Sequence, residues 1–150
     1  MRSALVDQPI DVTALVGEVA RPSNGATVLF IGTVRDVNDG RAVTGMEYSA
    51  YRGMAERELT DIVREAAEQF DTLDIVVEHR LGALELGEAS VAIAVAHPHR
   101  GAAYAASRYV IEQLKRRVPI WKLEYYVDGT REWVDPTRHA KHVEQAEANG

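Results

Sequence analysis

The 150-residue sequence contains no cysteine. This absence excludes disulfide bonds, thiolate metal sites and a cysteine nucleophile, so any sulfur that takes part in a reaction must arrive on another molecule. The sequence also lacks an apolar run of the roughly 18 residues that a transmembrane helix requires. Near its start, Asp7 and Asp11 stand where a signal peptide would have its apolar core. We therefore expect a cytoplasmic protein with no membrane-spanning segment.

Positive charge is also scarce. Lysine and arginine together number 17 against 23 aspartates and glutamates, and the formal net charge is −6. Nucleic-acid binding is disfavoured because the phosphate backbone requires a broad basic surface, and binding to membrane surfaces is disfavoured for the same reason. The basic groups that are present gather between His97 and Glu124. This clustering predicts a pocket for a small anion.

The length and the hydrophobic content of 46% fit one compact domain with a core of its own. No internal repeat or interdomain linker is present. We predict a single domain over residues 1–134, followed by a polar tail over residues 135–150 that is a frayed helix or disordered.

Helical and strand patterns alternate along the domain without a strict βαβ period, which favours an α+β fold. The predicted helices cover residues 12–19, 54–70 and 101–118, and the predicted strands cover 4–10, 26–34, 43–51, 74–80, 89–96, 120–127 and 132–134. The strand at 26–34 is apolar on both faces, which predicts a buried central strand. Its Gly32 predicts a bulge or a close backbone approach. Asp128-Gly129 predicts a C-terminal β-hairpin.

The segment His97-Pro98-His99-Arg100 lies where a strand meets the start of a helix. Free backbone N–H groups and the helix dipole favour an anion there, and His99 and Arg100 would add side-chain donors. Alternatively, both side chains bond backbone carbonyls or face solvent. A His-x-His metal site is disfavoured because no third ligand has suitable spacing.

Lys115, Arg116 and Arg117 end the same helix, where cations also complement the helix dipole. Lys122 shares one face of the following strand with Glu124. A lysine in a half-buried strand requires a reason, and two remain open: Glu124 pairs with it, or it reaches into a polar site.

Arg35 follows a predicted strand, in a loop where functional residues are common, and an ion pair with Asp36 or Asp39 is the structural alternative. His79 and Arg80 end another strand, and we expect structural hydrogen bonds there. His139 and His142 lie in the polar tail and are expected to be solvated.

Five short motifs follow one another in order along the chain. They are Phe30 to Arg35 with Asn38 and Gly40, Met46 to Tyr51 with Gly53-Met54-Ala55, His79 to Gly82, Pro98-His99-Arg100, and Leu114-Lys115 with Pro119 to Lys122 and Glu124. Together they resemble the catalytic (large) subunit family of molybdopterin synthase. The resemblance extends over roughly Gly25 to Val134.

The resemblance implies an α/β hammerhead-type domain with an antiparallel sheet, and neither a cofactor nor a metal. In this family two large subunits form a homodimer, and each binds a small ubiquitin-like sulfur carrier with a Gly-Gly C-terminus, which gives a heterotetramer. The reaction, a step of molybdenum cofactor biosynthesis, transfers sulfur from the carrier's C-terminal thiocarboxylate to cyclic pyranopterin monophosphate and forms the dithiolene of molybdopterin. A sulfurtransferase of this kind agrees with the absence of cysteine.

The resemblance also implies a set of substrate-binding residues, among which Lys115 and Lys122 would be catalytic. The set is Thr33, Val34, Arg35, His99, Arg100, Lys115, Lys122, Leu123 and Glu124. Two positions depart from the family: Leu123 stands where a basic residue is common, and Ser49 where an acidic one is usual. Two other classes stay open, a non-catalytic paralogue that binds the carrier as an interaction module and an unrelated enzyme for small anions.

The spacing of the basic groups suggests where such a site would be built. A continuous helix rises about 1.5 Å per residue, so His99 and Lys115 would lie roughly 24 Å apart, too far for one pterin phosphate. We therefore expect a pocket shared between two copies of the chain, with Lys115 and Lys122 from one copy facing His99 and Arg100 from the other, and with Arg35 as a further candidate on the side of His99.

Overall fold

The structure is a computed structural model that describes residues 1–134. The predicted polar tail at 135–150, with His139 and His142, lies outside the described residues. The strands are β1 (Arg2–Val6), β2 (Ala26–Thr33), β3 (Val37–Asn38), β4 (Arg41–Ala50), β5 (Ile75–Arg80), β6 (Gly82–Glu85), β7 (Ala89–His97), β8 (Ile120–Tyr126) and β9 (Arg131–Val134), and the helices are α1 (Val12–Val19), α2 (Arg52–Phe70) and α3 (Arg100–Arg117). The predicted α+β class is confirmed.

The first sheet has the strand order β1-β5-β7-β2 and is antiparallel except where β1 pairs with β5. Helices α2 and α3 cover one face, where Leu59, Ile62 and Val110 are fully buried with the apolar side chains of β5 and β7. Helix α1 covers the other face with Leu15 and Val19. Burying each side chain of this size contributes roughly 2 kcal/mol, so the two apolar layers fix the helices to the sheet.

The second sheet has the strand order β3-β4-β8-β9, and β6 also pairs with β4. Strands β8 and β9 form the predicted C-terminal hairpin, with Gly129 at a φ of 85° in its turn. Val34, Met46 and Leu84 form a small buried cluster. Strand β2 leads from the first sheet toward this cluster, so the end of β2 lies where the two sheets meet.

One prediction about strand order is wrong. Strand β2 is an edge strand of the first sheet, not a central one, whereas β7 lies between β5 and β2. The two faces of β2 are apolar for a different reason: Phe30 packs against the cluster below α2 and α3, and Leu29 packs against the cluster below α1. Both faces are only partly covered: no residue of β2 is fully buried, and Ile31 is 40% exposed, so the predicted burial of this strand is also wrong.

Several boundaries also differ from prediction. The first strand covers Arg2–Val6 and lies at the edge of its sheet, α2 begins at Arg52, and β4 begins at Arg41. The predicted polar loop after Arg35 contains the short strand β3, which forms a hairpin with β4. The pairing of β4 with β8 shifts between Val43 and Gly45, so that Val43 and Met46 are both buried although they are three positions apart.

Candidate active site

A pocket opens where the end of β2, the β3–β4 hairpin, β7, α3 and β8 meet. The space between its walls is about 560 Å³, a figure that includes space open to solvent. Its lining consists of Phe30, Gly32, Thr33, Arg35, Asn38, Met46, Tyr48, Ser90, Val91, Ile111, Lys115 and Lys122. Four of the predicted site residues, Thr33, Arg35, Lys115 and Lys122, are therefore brought together in one pocket, so Arg35 lies with Lys115 of its own copy and its suggested place on the side of His99 is wrong.

Gly32 allows β2 to approach β7 closely at the pocket wall. A Cβ atom at this position would lie 2.7 Å from Cγ1 of Val91, and the pairing with β7 shifts between Gly32 and Thr33. The predicted bulge and close approach are thus both present. A bulge bends its strand and redirects the side chains that follow it, which places Thr33 and Arg35 in the pocket lining.

Three cations share this pocket: Lys115, Lys122 and Arg35. The side chain of Lys115 keeps contact with solvent, but desolvation by the surrounding protein lowers the pKa of its amine below the usual value, and the charges of Lys122 and Arg35 lower it further. Arg35 forms no ion pair with Asp36 or Asp39 within residues 1–134, so the structural alternative for it is not realised. The site therefore contains one amine, that of Lys115, which loses its proton more readily than an ordinary lysine, and two further basic side chains, Lys122 and Arg35.

The two explanations for Lys122 both hold. Its Nζ atom lies 3.5 Å from Oε1 of Glu124, and the same side chain lines the pocket. Glu124 is almost fully buried at 1% exposure. Its Oε1 accepts a hydrogen bond from Nδ2 of Asn38, and its Oε2 accepts one of 2.8 Å from the Tyr126 hydroxyl. Burial and the Glu124 carboxylate raise the pKa of Tyr126 to about 12, so Tyr126 remains a hydrogen-bond donor at neutral pH.

Two other predicted substrate-binding residues are buried outside the pocket lining. Val34 is 3% exposed in the small cluster, and its backbone N–H and C=O are bonded to Glu88 and Gly87. Leu123 is 7% exposed and is paired with Glu47 and with Trp133. Their assignment as substrate-binding residues stays a prediction.

His99 and Arg100 lie at the other end of α3 and do not line the pocket. Both are exposed, and the backbone N–H of His99 donates to Nδ1 of His97 at 2.9 Å. Because α3 runs without interruption to Arg117, the expected separation of roughly 24 Å between His99 and Lys115 follows from the helix rise. Within residues 1–134, no three metal-ligating side chains are grouped.

The remaining basic residues have structural partners. Arg117 forms ion pairs with Glu58 at 3.1 Å and Glu65 at 2.5 Å, which tie the end of α3 to α2. His79 and Arg80 make the expected structural contacts: His79 bonds the carbonyl of Arg80 at 2.9 Å, and Arg80 pairs with Glu88. Burial lowers the pKa of His79 to about 4, so its ring is neutral at pH 7.

Sequence reasoning missed the roles of Asn38 and Tyr126 beside Glu124. Asp39-Gly40 is a hairpin-turn dipeptide, and it would have identified β3 and placed Asn38 in a strand. A second signal is the rarity of lysine. The chain has three lysines, Lys115, Lys122 and Lys141, and two of them line this pocket. Lysine can release its proton in a suitable site whereas arginine cannot, so this distribution indicates proton chemistry.

The fold and the site define a class, an α+β protein with two sheets and a lysine pocket between them. The profile of the family described as MoaE protein matches residues 5–117. A protein of Halalkalibacterium halodurans named molybdopterin synthase catalytic subunit is 42% identical over 133 residues, which are 89% of this chain and 85% of that protein. The crystal structure of molybdopterin synthase from Staphylococcus aureus superposes with a TM-score of 0.82 at 37% identity, covering 87% of this chain and 95% of that one.

A more distant structure shares the fold. It is a complex of subunits 1 and 2 of molybdopterin-converting factor from Helicobacter pylori, with a TM-score of 0.72 at 20% identity over 89% of this chain and 90% of that one. The chain belongs to the MoaE family, whose members include the molybdopterin synthase catalytic subunits. Within residues 1–134, no helix combines the length and apolarity needed to cross a membrane.

Proposed function

We propose that this chain is the catalytic subunit of a molybdopterin synthase and acts as a sulfurtransferase. The observation that carries the proposal is the pocket itself, in which two of the three lysines of a MoaE-family chain stand beside Arg35. The substrate is cyclic pyranopterin monophosphate, and the product carries the dithiolene of molybdopterin. The expected cytoplasmic location is part of the same proposal.

The sulfur donor is a small ubiquitin-like carrier whose Gly-Gly C-terminus ends in a thiocarboxylate. A chain without cysteine supplies no thiol of its own, which supports delivery by a partner. Each carrier contributes one sulfur: its sulfur forms a bond to a side-chain carbon of the pterin and displaces the oxygen bonded to that carbon, which leaves as water or stays on the opened phosphate. Water then cleaves the acyl–sulfur bond, which releases the carrier as a carboxylate and leaves the sulfur on the pterin as a thiolate. Two carriers are therefore consumed for each dithiolene.

The two lysines take different roles. Desolvation and neighbouring charges lower the pKa of Lys115, so its amine can accept and return a proton during the attack and the opening of the cyclic phosphate. Lys122 stays beside the Glu124 carboxylate and offers a positive charge to the negative charge that develops on the substrate. Arg35 and Thr33 contribute donors for phosphate oxygens.

His99 and Arg100 complete the phosphate site from a second copy of the chain. The length of α3 keeps them away from Lys115 of their own copy, and both are exposed at the helix N-terminus, where backbone N–H groups favour an anion. The functional assembly is accordingly a homodimer of this chain with one carrier on each copy.

A non-catalytic paralogue that only binds the carrier is the second candidate. The lysine pocket argues against it, because carrier binding alone does not require an amine with a lowered pKa. An unrelated enzyme for small anions would show no affinity for a protein with a Gly-Gly tail.

The test combines binding with turnover. The chain is mixed with the thiocarboxylated carrier, capture of the carrier is measured, and formation of the pterin dithiolene is followed by the fluorescence of its oxidised product. We expect Lys115→Ala to abolish conversion of the precursor and to leave carrier capture intact, because the change shortens one side chain of the pocket lining and removes its amine.

Glu112→Ala is the matched control. Glu112 is exposed on α3 one turn before Lys115, and its ion pair among residues 1–134 is with Arg108 on the same helix, at 2.8 Å. This variant should retain wild-type conversion. Carrier capture without any conversion by the wild-type chain would support the non-catalytic paralogue, and near-normal turnover by Lys115→Ala would contradict the role of Lys115.

A further inference from the structure

The buried carboxylate of Glu124 does not line the pocket but contacts two side chains that do, Asn38 and Lys122. Both of its oxygens are occupied, Oε1 by Nδ2 of Asn38 and Oε2 by the hydroxyl of Tyr126 at 2.8 Å. A buried charge is tolerated only where it is paired and hydrogen-bonded. At 1% exposure, Glu124 is better placed to hold Lys122, 3.5 Å from Oε1, than to contact a ligand directly.

The β3–β4 hairpin holds Glu124 from both sides. Asp39 and Gly40 form its turn with φ values of 49° and 77°, and Asn38 pairs with Arg41 across it. Asn38 bonds the carboxylate itself. The guanidinium of Arg41 lies 3.4 Å from the centre of the Tyr126 ring, over its face, and Tyr126 bonds the other carboxylate oxygen. One hairpin therefore fixes both donors to Glu124.

The orientation of the Asn38 amide is determined by this contact. Turning the amide over would place Oδ1 against the carboxylate oxygen, and two acceptors repel each other, so Nδ2 must face Glu124. Oδ1 of Asn38 is left buried without a hydrogen-bond partner among residues 1–134. Asn38 also lines the pocket, so a single side chain connects the buried carboxylate of Glu124 to the pocket wall.

We propose that Asn38 is a positioning residue, which acts through the Glu124 carboxylate to hold the Lys122 ammonium at the wall of the pocket. This inference rests on the proposed function and adds to it a residue that positions one of the two pocket lysines. A lysine amine on a flexible four-carbon chain samples many positions, and an anchored carboxylate reduces that freedom. Without Asn38, Glu124 loses its donor on Oε1 and Lys122 loses a fixed partner.

The first test needs neither carrier nor substrate. Because the chain has three lysines, an NMR spectrum of ¹⁵N-labelled lysine amines contains few signals, and the mobility of Lys122 can be measured by relaxation. We expect Asn38→Ala to increase the mobility of the Lys122 amine and to leave that of Lys115 unchanged. Unchanged mobility of Lys122 would overturn the proposal.

The second test measures conversion in the full complex of this chain with the thiocarboxylated carrier. Loss of a hydrogen bond to a charged group predicts a fall of about tenfold in the rate at saturating precursor, with a smaller change in KM. Tyr126→Phe, which keeps the ring below Arg41 and removes only the hydroxyl, should give a fall in the same direction. A rate within twofold of wild type for both variants would contradict the proposal.

Gly87→Ala is the control for a general weakening of the fold. Gly87 lies outside the β3–β4 hairpin, between β6 and β7; nothing lies within 4 Å of a Cβ atom there, but its φ of 81° makes the substitution strained. The control should lower Tm while conversion stays near wild type at a temperature where the chain is folded. If Gly87→Ala slows conversion as much as Asn38→Ala at equal folded fraction, the role of Asn38 is merely structural. Absence of product from the wild-type complex would refute the proposed function. The NMR test would still show whether Asn38 restrains the Lys122 amine, because it does not depend on conversion.

Discussion

At the scale of single residues, the pocket depends on which cations can release a proton. Arginine remains charged in proteins, whereas a lysine amine becomes neutral when desolvation and neighbouring charges lower its pKa. Both causes lower the pKa of Lys115, because the protein desolvates its amine and the charges of Lys122 and Arg35 act on it. The neighbours of Lys115 thus have two functions, because they bind an anion and they also adjust the proton affinity of the amine.

This arrangement predicts the effect of removing one neighbour. In Lys122→Gln the pKa of Lys115 should rise toward its usual value without reaching it, because desolvation, the largest cause, and Arg35 remain. The neutral fraction of Lys115 is then lower than in the wild type at any given pH. Titration of the Lys115 amine by ¹⁵N NMR measures the shift. Arg21→Gln, which removes a surface cation paired with Asp74, should leave the midpoint in place. A downward shift in Lys122→Gln would contradict the electrostatic account.

At the scale of elements, the bulge in β2 connects packing to the site. Gly32 lies against Val91 because it has no Cβ atom. Gly32→Ala should destabilise the fold by about 1–3 kcal/mol, since β-branched Val91 is stiff and the strands must separate. Separation also moves Thr33 and Arg35, so precursor affinity should fall together with Tm.

Gly17→Ala is the comparison for this substitution. Gly17 is inside α1 with nothing within 4 Å of a Cβ atom, and alanine in a helix is favoured over glycine by up to about 1 kcal/mol. Tm should therefore stay or rise, with precursor affinity unchanged. Thermal unfolding and precursor titration of both variants check the pair, and equal behaviour would show that the contact with Val91 is unimportant.

The helices, β7 and the C-terminal hairpin could be predicted because their signals are local. The apolar stripe of α2 and the Asp128-Gly129 turn are properties of short segments. The edge position of β2 could not be predicted. Phe30 and Leu29 are apolar because they pack against the clusters below the helices on the two faces of the sheet, and apolar faces carry no information about whether the edges of the strand are paired. The pairing of Asn38 with Glu124 joins residues that are 86 positions apart, and no local pattern encodes it.

At the scale of the whole molecule, one chain holds two incomplete sites at opposite ends of α3. If the proposed dimer is correct, a site with Lys115 from one copy uses His99 from the other. Lys115→Ala and His99→Ala proteins, each inactive alone, would then form mixed dimers in which one of two sites is intact. An equal mixture should recover about a quarter of wild-type activity, because half of the dimers are mixed.

The conversion assay after subunit exchange measures this recovery. Exchange is confirmed with two differently tagged copies, and a mixture of Lys115→Ala with Lys122→Ala serves as the control. Those two changes damage the same half-site, so each site of the mixed dimer lacks one lysine and no recovery is expected. Absence of recovery in the first mixture after confirmed exchange would place the complete site within one chain.

The β3–β4 hairpin also has a consequence for how the sequence can change in length. Surface turns usually tolerate insertions and deletions because few contacts depend on them. Here the turn at Asp39 and Gly40 fixes the register that sets Asn38 beside Glu124 and Arg41 over Tyr126. One added residue would move both side chains out of phase, since neighbouring strand residues point to opposite faces. The segment therefore has the composition of a variable loop, but its length is as constrained as that of a core strand.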